Sequence, residues 1–354
     1  MTPVKFENIQ ALRGVAVLLV VFCHLQAIEQ KYSPGATFLP DWLDYAIASV
    51  DLFFVISGFV IATVTRGQFQ SLSKAGHFIF QRVTRIYPPY WFYSTLVLII
   101  WLYKPEMVNA GQGHQINLLA SFLIIPQDLL PLVMVGWTLI HEMYFYIVIT
   151  VMMSIIPERI FPVLLVLWTL IVISGFLYFI TNCDGNYSAT VRVIFHPLTL
   201  DFIGGAAAAL LLNSRIRNND RVIIAIVISI FLCSVIWFNI NQSVLKIEGL
   251  LRVLLFGIPS LLVVYAAARS EINGTAYFPK SMIKIGDASY SIYLSHVLVL
   301  SALGRIWAKM ATTGATAHVI MLVVMLLATI SVGLLSYRWI EIPILNSIRR
   351  WRTR

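Results

Sequence analysis

The chain has 354 residues, of which 59% are hydrophobic and only 12% charged, and its mean hydropathy is +0.84. Soluble domains carry about 25% charged residues, so this composition excludes an ordinary soluble protein and points to an all-α, polytopic integral-membrane chain. The net charge of +9 is scattered over loops, as membrane topology requires, with no long basic run interleaved with aromatics, which argues against nucleic acid as a partner.

Apolar segments long enough to cross a bilayer as helices, about 20 residues each, fall at 9–28, 45–65, 87–104, 134–155 and 161–180. A second set falls at 192–212, 221–240, 247–268, 286–308 and 318–342. They predict a bundle of about ten transmembrane helices, with 116–127 a shorter stretch suited to a re-entrant or interfacial position. No repeat, low-complexity tract or soluble domain interrupts them, so residues 1–354 read as a single transmembrane domain without an extracytoplasmic soluble domain. Lys5 ahead of an apolar run raises the question of a signal peptide. Arg13 breaks that pattern and no small-residue cleavage site follows Cys23, so an uncleaved first helix is expected.

With the N-terminus in the cytoplasm, Lys and Arg divide about 18 inside to 7 outside, which the positive-inside rule favours. Both termini are therefore expected in the cytoplasm. Cys23, Cys183 and Cys233 match no metal or redox spacing, and the histidines lack the paired spacing of a helical zinc site, so no metal is expected.

The first helix reads QALRGVAVLLVVFCH over residues 10–24. Eleven residues at about 100° each come within roughly 20° of three full turns, so Arg13 and His24 face one way, roughly 16 Å apart along the axis. Ionisable groups in hydrocarbon mark functional sites by default, because lipid does not solvate charge. In the predicted frame Arg13 lies near the cytoplasmic face and His24 in the outer half.

In the second helix Asp51 sits at a depth comparable to His24, where it needs a partner or a wet cavity unless it caps the helix. Ser57-Gly58 beyond it suits close helix packing. Arg82 and Arg85, three apart, would share a helical face; they suit a phosphate clamp, and equally the ordinary basic flank of a membrane helix. Tyr87-Pro88-Pro89-Tyr90-Trp91 behind them reads as an interfacial aromatic belt at a stiff helix start. Glu142 beside His141, with Trp137 five residues earlier, suits acid–base chemistry or a structural polar pair between helices. His196 and Asp201 lie on the sixth apolar segment, and Ser295-His296 near the middle of the ninth. Arg338 and Glu341 are expected to pair, while His77, His114 and His318 fall in loops or at helix ends and carry no assigned role.

Taken together these residues resemble the integral-membrane acyltransferase 3 family. The resemblance rests on Arg13-x10-His24, VDLFFVISGF, the Arg82-x-x-Arg85 pair before Tyr87-Pro88, WTL-x-HE-x-Y-F-Y, SYSIYLSH and WIE-x-P, in that order from Ile9 to Pro343. With no hydrolase-like domain after residue 354, the stand-alone bacterial exopolysaccharide-type acetyltransferases are the expected branch, and the bacterial inner membrane the expected location.

The resemblance implies transfer of an acyl group, often acetyl, from cytoplasmic acyl-coenzyme A to a hydroxyl of a saccharide or lipid-linked glycan. It makes His24 the essential histidine with Arg13 its partner, and Arg82 and Arg85 the pair that meets coenzyme A. Glu142 is the glutamate of the WTL-x-x-E motif, preceded here by His141 where the family has serine or another small residue. The expected mechanism has His24 as general base on the acceptor hydroxyl, oriented by Glu142 or Asp51. Ser57 or Trp137 would steady the oxyanion, and His141 and His296 complete the candidate substrate contacts. A covalent acyl-His route stays open. Outside this class, His24, Asp51 and Glu142 could form the proton relay of a transporter or flippase, against which stands the lack of an inverted repeat. A scaffold within a polysaccharide-synthesis complex is a third alternative.

Overall fold

A computed structural model describes residues 6–33, 37–182, 187–212, 248–274, 278–310 and 314–352. The expected helix at 221–240 lies outside the described residues, as do Cys183, Cys233, Arg215, Arg217, Arg221 and Lys246. Among the described residues every regular element is helical. Eight helical segments there are long and apolar enough to cross a membrane.

Helix α1 (Glu7–Tyr32) is unbroken, so Arg13 and His24 stand on one rigid rod. Its first turn leaves backbone N–H groups without helical acceptors. The Glu271 carboxylate takes two of them, from Glu7 at 2.6 Å and Asn8 at 2.8 Å. Helix α2 (Ala48–Thr65) follows a 3₁₀ turn at Asp41–Ile47. Helix α3 (Leu72–Tyr103), capped by Ser71, continues unbroken through Pro88 and Pro89. The expected segment 87–104 is thus the second half of a helix of about 48 Å, and it falls short of the apolarity of the eight spans.

The aromatic run on α3 also anchors a neighbouring helix. Tyr87, Tyr90 and Trp91 donate side-chain hydrogen bonds to the carbonyls of Leu123, Ser121 and Phe122 at 2.7–2.9 Å. These are the last three carbonyls of the short helix α4 (Leu118–Leu123), of which that of Ser121 also accepts the Ile124 N–H at 3.4 Å. The stretch 116–127 is therefore pinned to α3 by side chains.

Helices α5 (Trp137–Ile155) and α6 (Phe161–Asn182) come next. Much of α6 is exposed and apolar, including Val163, Val166, Leu170 and Ile171, as a face turned to lipid requires. The expected helix at 192–212 is two pieces, α7 (Ala189–Ile194) and α8 (Leu198–Leu211). The break falls where Pro197 has no N–H to continue the ladder. His196 fills the gap by accepting the Leu198 N–H at 3.2 Å.

Helices α9 (Gly249–Arg252) and α10 (Ile258–Ile272) are joined by a π-helical turn at Val253–Gly257. Helices α11 (Lys280–Asp287), α12 (Ser289–Met310) and α13 (Ala315–Ser336) lead through a second π turn, Tyr337–Glu341, into α14 (Ile342–Arg352). One apolar core cluster joins α1, α2, α3, α5, α6, α8, α10 and α12.

Two glycine contacts set the closest helix approaches. A Cβ on Gly58 would stand 1.9 Å from the Phe202 carbonyl oxygen, and one on Gly205 1.9 Å from that of Val55, so α2 and α8 meet backbone to backbone. Gly14 and Gly286 play the same part between α1 and α11. Gly58 is therefore a packing residue, while its neighbour Ser57 turns to a cavity.

Candidate active site

The cavity, of about 120 Å³, lies among α1, α2, α3, α5 and α12. Along α2 it is lined by Val50, Phe53, Ser57 and Val60, one helical face extending about 15 Å. Along α5 it is lined by Thr138, Glu142 and Tyr146, again one face at a spacing of four. Arg13, Arg82 and Arg85 converge on it from α1 and α3, with Glu142 the carboxylate in its lining. The positive surplus suits an anionic ligand.

Glu142 Oε1 accepts hydrogen bonds from the Tyr146 hydroxyl and, at 3.3 Å, from Ser57 Oγ. The Tyr146 ring also carries the Arg82 guanidinium, 5.6 Å from its centroid, with the Phe78 ring 5.3 Å away. Two aromatic faces hold that cation in place. Arg82 Nε is buried with no hydrogen-bond partner among the described residues. Such an orphan donor beside a cavity fits a phosphate oxygen.

Arg85, Glu142, Glu341 and Tyr146 lie within electrostatic reach of Arg13. Glu341 itself accepts from Ser291 Oγ at 2.5 Å and is 3% exposed. The expected Arg338–Glu341 pair is thus replaced by contacts into the bundle. The spacing argument assumed an α-helical period, and the π turn there adds a residue that rotates Glu341 inward.

His24 is not in the cavity lining. Its ring packs edge-on against His296 at 4.7 Å, and His296 lies 5.6 Å from the ring of Tyr293, which does line the cavity. Tyr293 is fixed by hydrogen bonds of its hydroxyl to Thr138 Oγ1 at 2.8 Å and the Val135 carbonyl at 3.1 Å. Tyr293 is thus the lining residue whose ring packs on His296, and His296 in turn packs on His24.

The other expected residues go elsewhere. Asp51, 0% exposed, is gripped by Arg252 through Nε at 3.0 Å and Nη2 at 2.8 Å. Arg252 also bonds the Ile47 carbonyl at 3.2 Å, and Asp201 stands within electrostatic reach of both. Asp51 thus neutralises a guanidinium that is 15% exposed, and no hydrogen bond among the described residues joins it to His24. His141 packs on His196 at 4.6 Å and on Trp137 at 6.0 Å, in a cluster that likewise leaves the cavity lining. His318, given no role in the sequence, donates through Nε2 to Glu29 at 2.6 Å, and Glu29 also accepts the Phe38 and Leu39 N–H groups. That buried pair ties the end of α1 to the start of α13.

Thr138, Tyr146, Ser289, Tyr290 and Tyr293 are the polar lining residues that sequence reasoning passed over. A signal existed for two of them: Thr138 and Tyr146 flank Glu142 four residues either side, a polar stripe on an apolar helix. Among the described residues no group of three or more His, Cys, Asp or Glu side chains could hold a metal ion.

Comparison with known proteins bears on the chemistry. Residues 6–338 match a family described as an acyltransferase domain, Acyl_transf_3. The chain is 28% identical over 315 residues to the exopolysaccharide production protein ExoZ of Rhizobium meliloti (strain 1021), covering 87% of this chain and 91% of that protein. No solved structure matches the chain significantly. The chain belongs to the acyltransferase 3 family and is a multi-pass membrane acyltransferase.

Proposed function

We propose that the chain moves an acyl group, acetyl by preference, from cytoplasmic acyl-coenzyme A to a hydroxyl of an exopolysaccharide or its lipid-linked precursor. The observation that carries this reading is the meeting of Arg13, Arg82 and Arg85 on one cavity, whose lining residue Tyr293 packs on His296 and through it on His24. The arginines hold the donor's phosphates at the cytoplasmic side, where the positive-inside count also puts them, with both termini in the cytoplasm. The donor's flexible arm follows α1 towards His24, a run of about 16 Å. The similarity to an exopolysaccharide production protein supports a glycan acceptor.

His24 Nδ1 lies 3.0 Å from the Val20 carbonyl oxygen. A carbonyl only accepts, so Nδ1 carries the hydrogen and Nε2 presents its lone pair. That is the tautomer a general base needs. The acceptor hydroxyl gives its proton to Nε2 as its oxygen bonds to the thioester carbonyl carbon. The carbon–sulfur bond then breaks, and the departing thiolate takes the proton back, leaving ester and free thiol. Ser57 gives its one hydrogen to Glu142 at 3.3 Å, and it is the candidate donor to the oxyanion once its hydroxyl turns away from that carboxylate.

The test is mass spectrometry of cell-surface glycan from a strain lacking the gene and from the same strain complemented. Loss of an acyl substituent that complementation restores is the expected result. Unchanged acylation, together with proton-coupled uptake of a glycan by vesicles containing the purified protein, would establish the transporter alternative instead.

A further inference from the structure

The cavity is graded along its length, and contacts made by α5 set the order. Tyr146 carries the Arg82 guanidinium on its ring, and Glu142, one turn earlier, meets Ser57 of α2. Thr138, one turn earlier again, has its hydroxyl 2.8 Å from that of Tyr293, and the Tyr293 ring packs edge-on against Phe53 at 6.1 Å. Phe53, Thr138 and Tyr293 therefore stand about 12 Å along α5 from the residue that carries Arg82. All three line the cavity, as does Val50, one turn before Phe53 on α2. The charged lining residues group at the other level, with Arg13, Arg82 and Arg85 within electrostatic reach of Glu142 and Tyr146.

The uncharged end has a firm wall. The Thr138 and Tyr293 hydroxyls each lie 3.1 Å from the Val135 carbonyl oxygen as well as beside one another, so their polarity is satisfied within the wall. Phe53 and Tyr293 both pack against the buried cluster of Val17, Val21, Ala288 and Ile292. Rings backed by a close-packed core do not swing aside without opening a void or a clash. Tyr293 also packs on His296, and His296 on His24, so this end is the one that adjoins the proposed base.

We propose that Phe53 and Tyr293 form the end wall of the acyl pocket and restrict the donor to a short acyl chain, with Phe53 the residue that sets the length. A donor whose phosphates lie among the arginines directs its thioester towards the uncharged end, where the acyl chain meets the two rings. Apolar surface there suits hydrocarbon, while an added methylene pressed against a packed wall brings overpacking strain. The Phe53 ring has no hydrogen bond to lose, so truncating it lengthens the pocket without stranding a polar group.

This inference rests on the acyl-coenzyme A reading of the cavity. The test measures kcat/KM for acetyl-, butanoyl- and hexanoyl-coenzyme A with purified wild type, Phe53→Ala and Phe53→Leu, using glycan isolated from a strain lacking the gene as acceptor. Wild type is expected to prefer acetyl to butanoyl by about 10-fold or more, since one added methylene in a hydrophobic pocket is discriminated about 10- to 200-fold. Phe53→Ala is expected to level or invert that ratio, with Phe53→Leu in between. A ratio taken within one protein does not depend on how much of it is folded, so lost stability alone leaves it in place. If Phe53→Ala fails to reach the membrane, Phe53→Leu carries the test. An unchanged acetyl-to-butanoyl ratio in the folded variants, or a wild type that uses hexanoyl as readily as acetyl, would overturn the inference while transfer by wild type leaves the donor reading standing. No transfer by wild type from any of the three donors would overturn both.

Discussion

Tyr146 gives its hydroxyl hydrogen to Glu142, one turn earlier on α5, while its ring carries the Arg82 guanidinium. The two contacts can be separated. Tyr146→Phe keeps the ring and loses the bond, so donor KM is expected to hold while kcat falls as Glu142 loosens. Tyr146→Leu loses both. A cation–π contact contributes about 0.5–2 kcal/mol, so this variant should also raise donor KM, by roughly 3- to 30-fold. Steady-state kinetics over a range of acyl-coenzyme A concentrations checks the pair, and an equal donor KM in both variants would show that the ring does not position Arg82.

Arg82→Ala and Arg85→Ala address phosphate binding directly. A hydrogen bond to a charged group contributes about 1.5–3 kcal/mol, so each substitution should raise donor KM on the order of tenfold or more. Contacts remote from the reacting centre bind ground and transition states alike, so kcat should change less than KM. Donor KM that stays put in the double variant would mean that these arginines serve only membrane topology.

Asp51 separates the structural reading from the one its sequence invites. Asp51→Ala leaves the largely buried Arg252 guanidinium unpaired, and breaking such a pair costs about 3–5 kcal/mol. The unfolding temperature in detergent should fall steeply. Replacing both partners, as in Asp51→Leu with Arg252→Met, removes the stranded charge and should restore folding together with most of the activity. A well-folded but inactive double variant would return Asp51 to the chemistry.

Gly58 and Ser57 are neighbours with opposite faces, and their variants should differ in kind. Gly58→Ala places a methyl group 1.9 Å from the Phe202 carbonyl oxygen, so folded protein is expected to be lost through separation of α2 from α8. Ser57→Ala should fold normally and lose turnover. Size-exclusion profiles of the two variants in detergent, read beside their activities, check this.

Much of the architecture was legible in the sequence because hydrocarbon imposes its own pattern. Apolar runs of bilayer length located most of the spans, although the run at 192–212 hid the break at Pro197 that His196 fills, and the run at 87–104 falls short of a span. The shared cavity face of Arg82 and Arg85 followed from helical period alone, whereas His24, expected on one face with Arg13, stays outside the cavity that Arg13 lines. Pairings between distant residues were not legible. Asp51 meets Arg252 across 201 residues and Glu29 meets His318 across 289, and one sequence carries no signal for either contact. The position of Glu341 was misread for a different reason. A π turn changes the helical phase, and no residue type announces one. His141 sits next to Glu142 in sequence, yet adjacent residues on a helix point about 100° apart, which is why it turns to His196 while Glu142 turns to the cavity.

The account stands or falls on His24 as the base that couples donor to acceptor. The measurement is release of free thiol from acyl-coenzyme A by purified protein in detergent, with a glycan acceptor supplied and its mass recorded, for wild type and His24→Ala. The account predicts thiol release matched by an acylated acceptor in the wild type, and the loss of both in a His24→Ala protein that is folded and still binds the donor. Transfer to the acceptor at an undiminished rate in His24→Ala would contradict it.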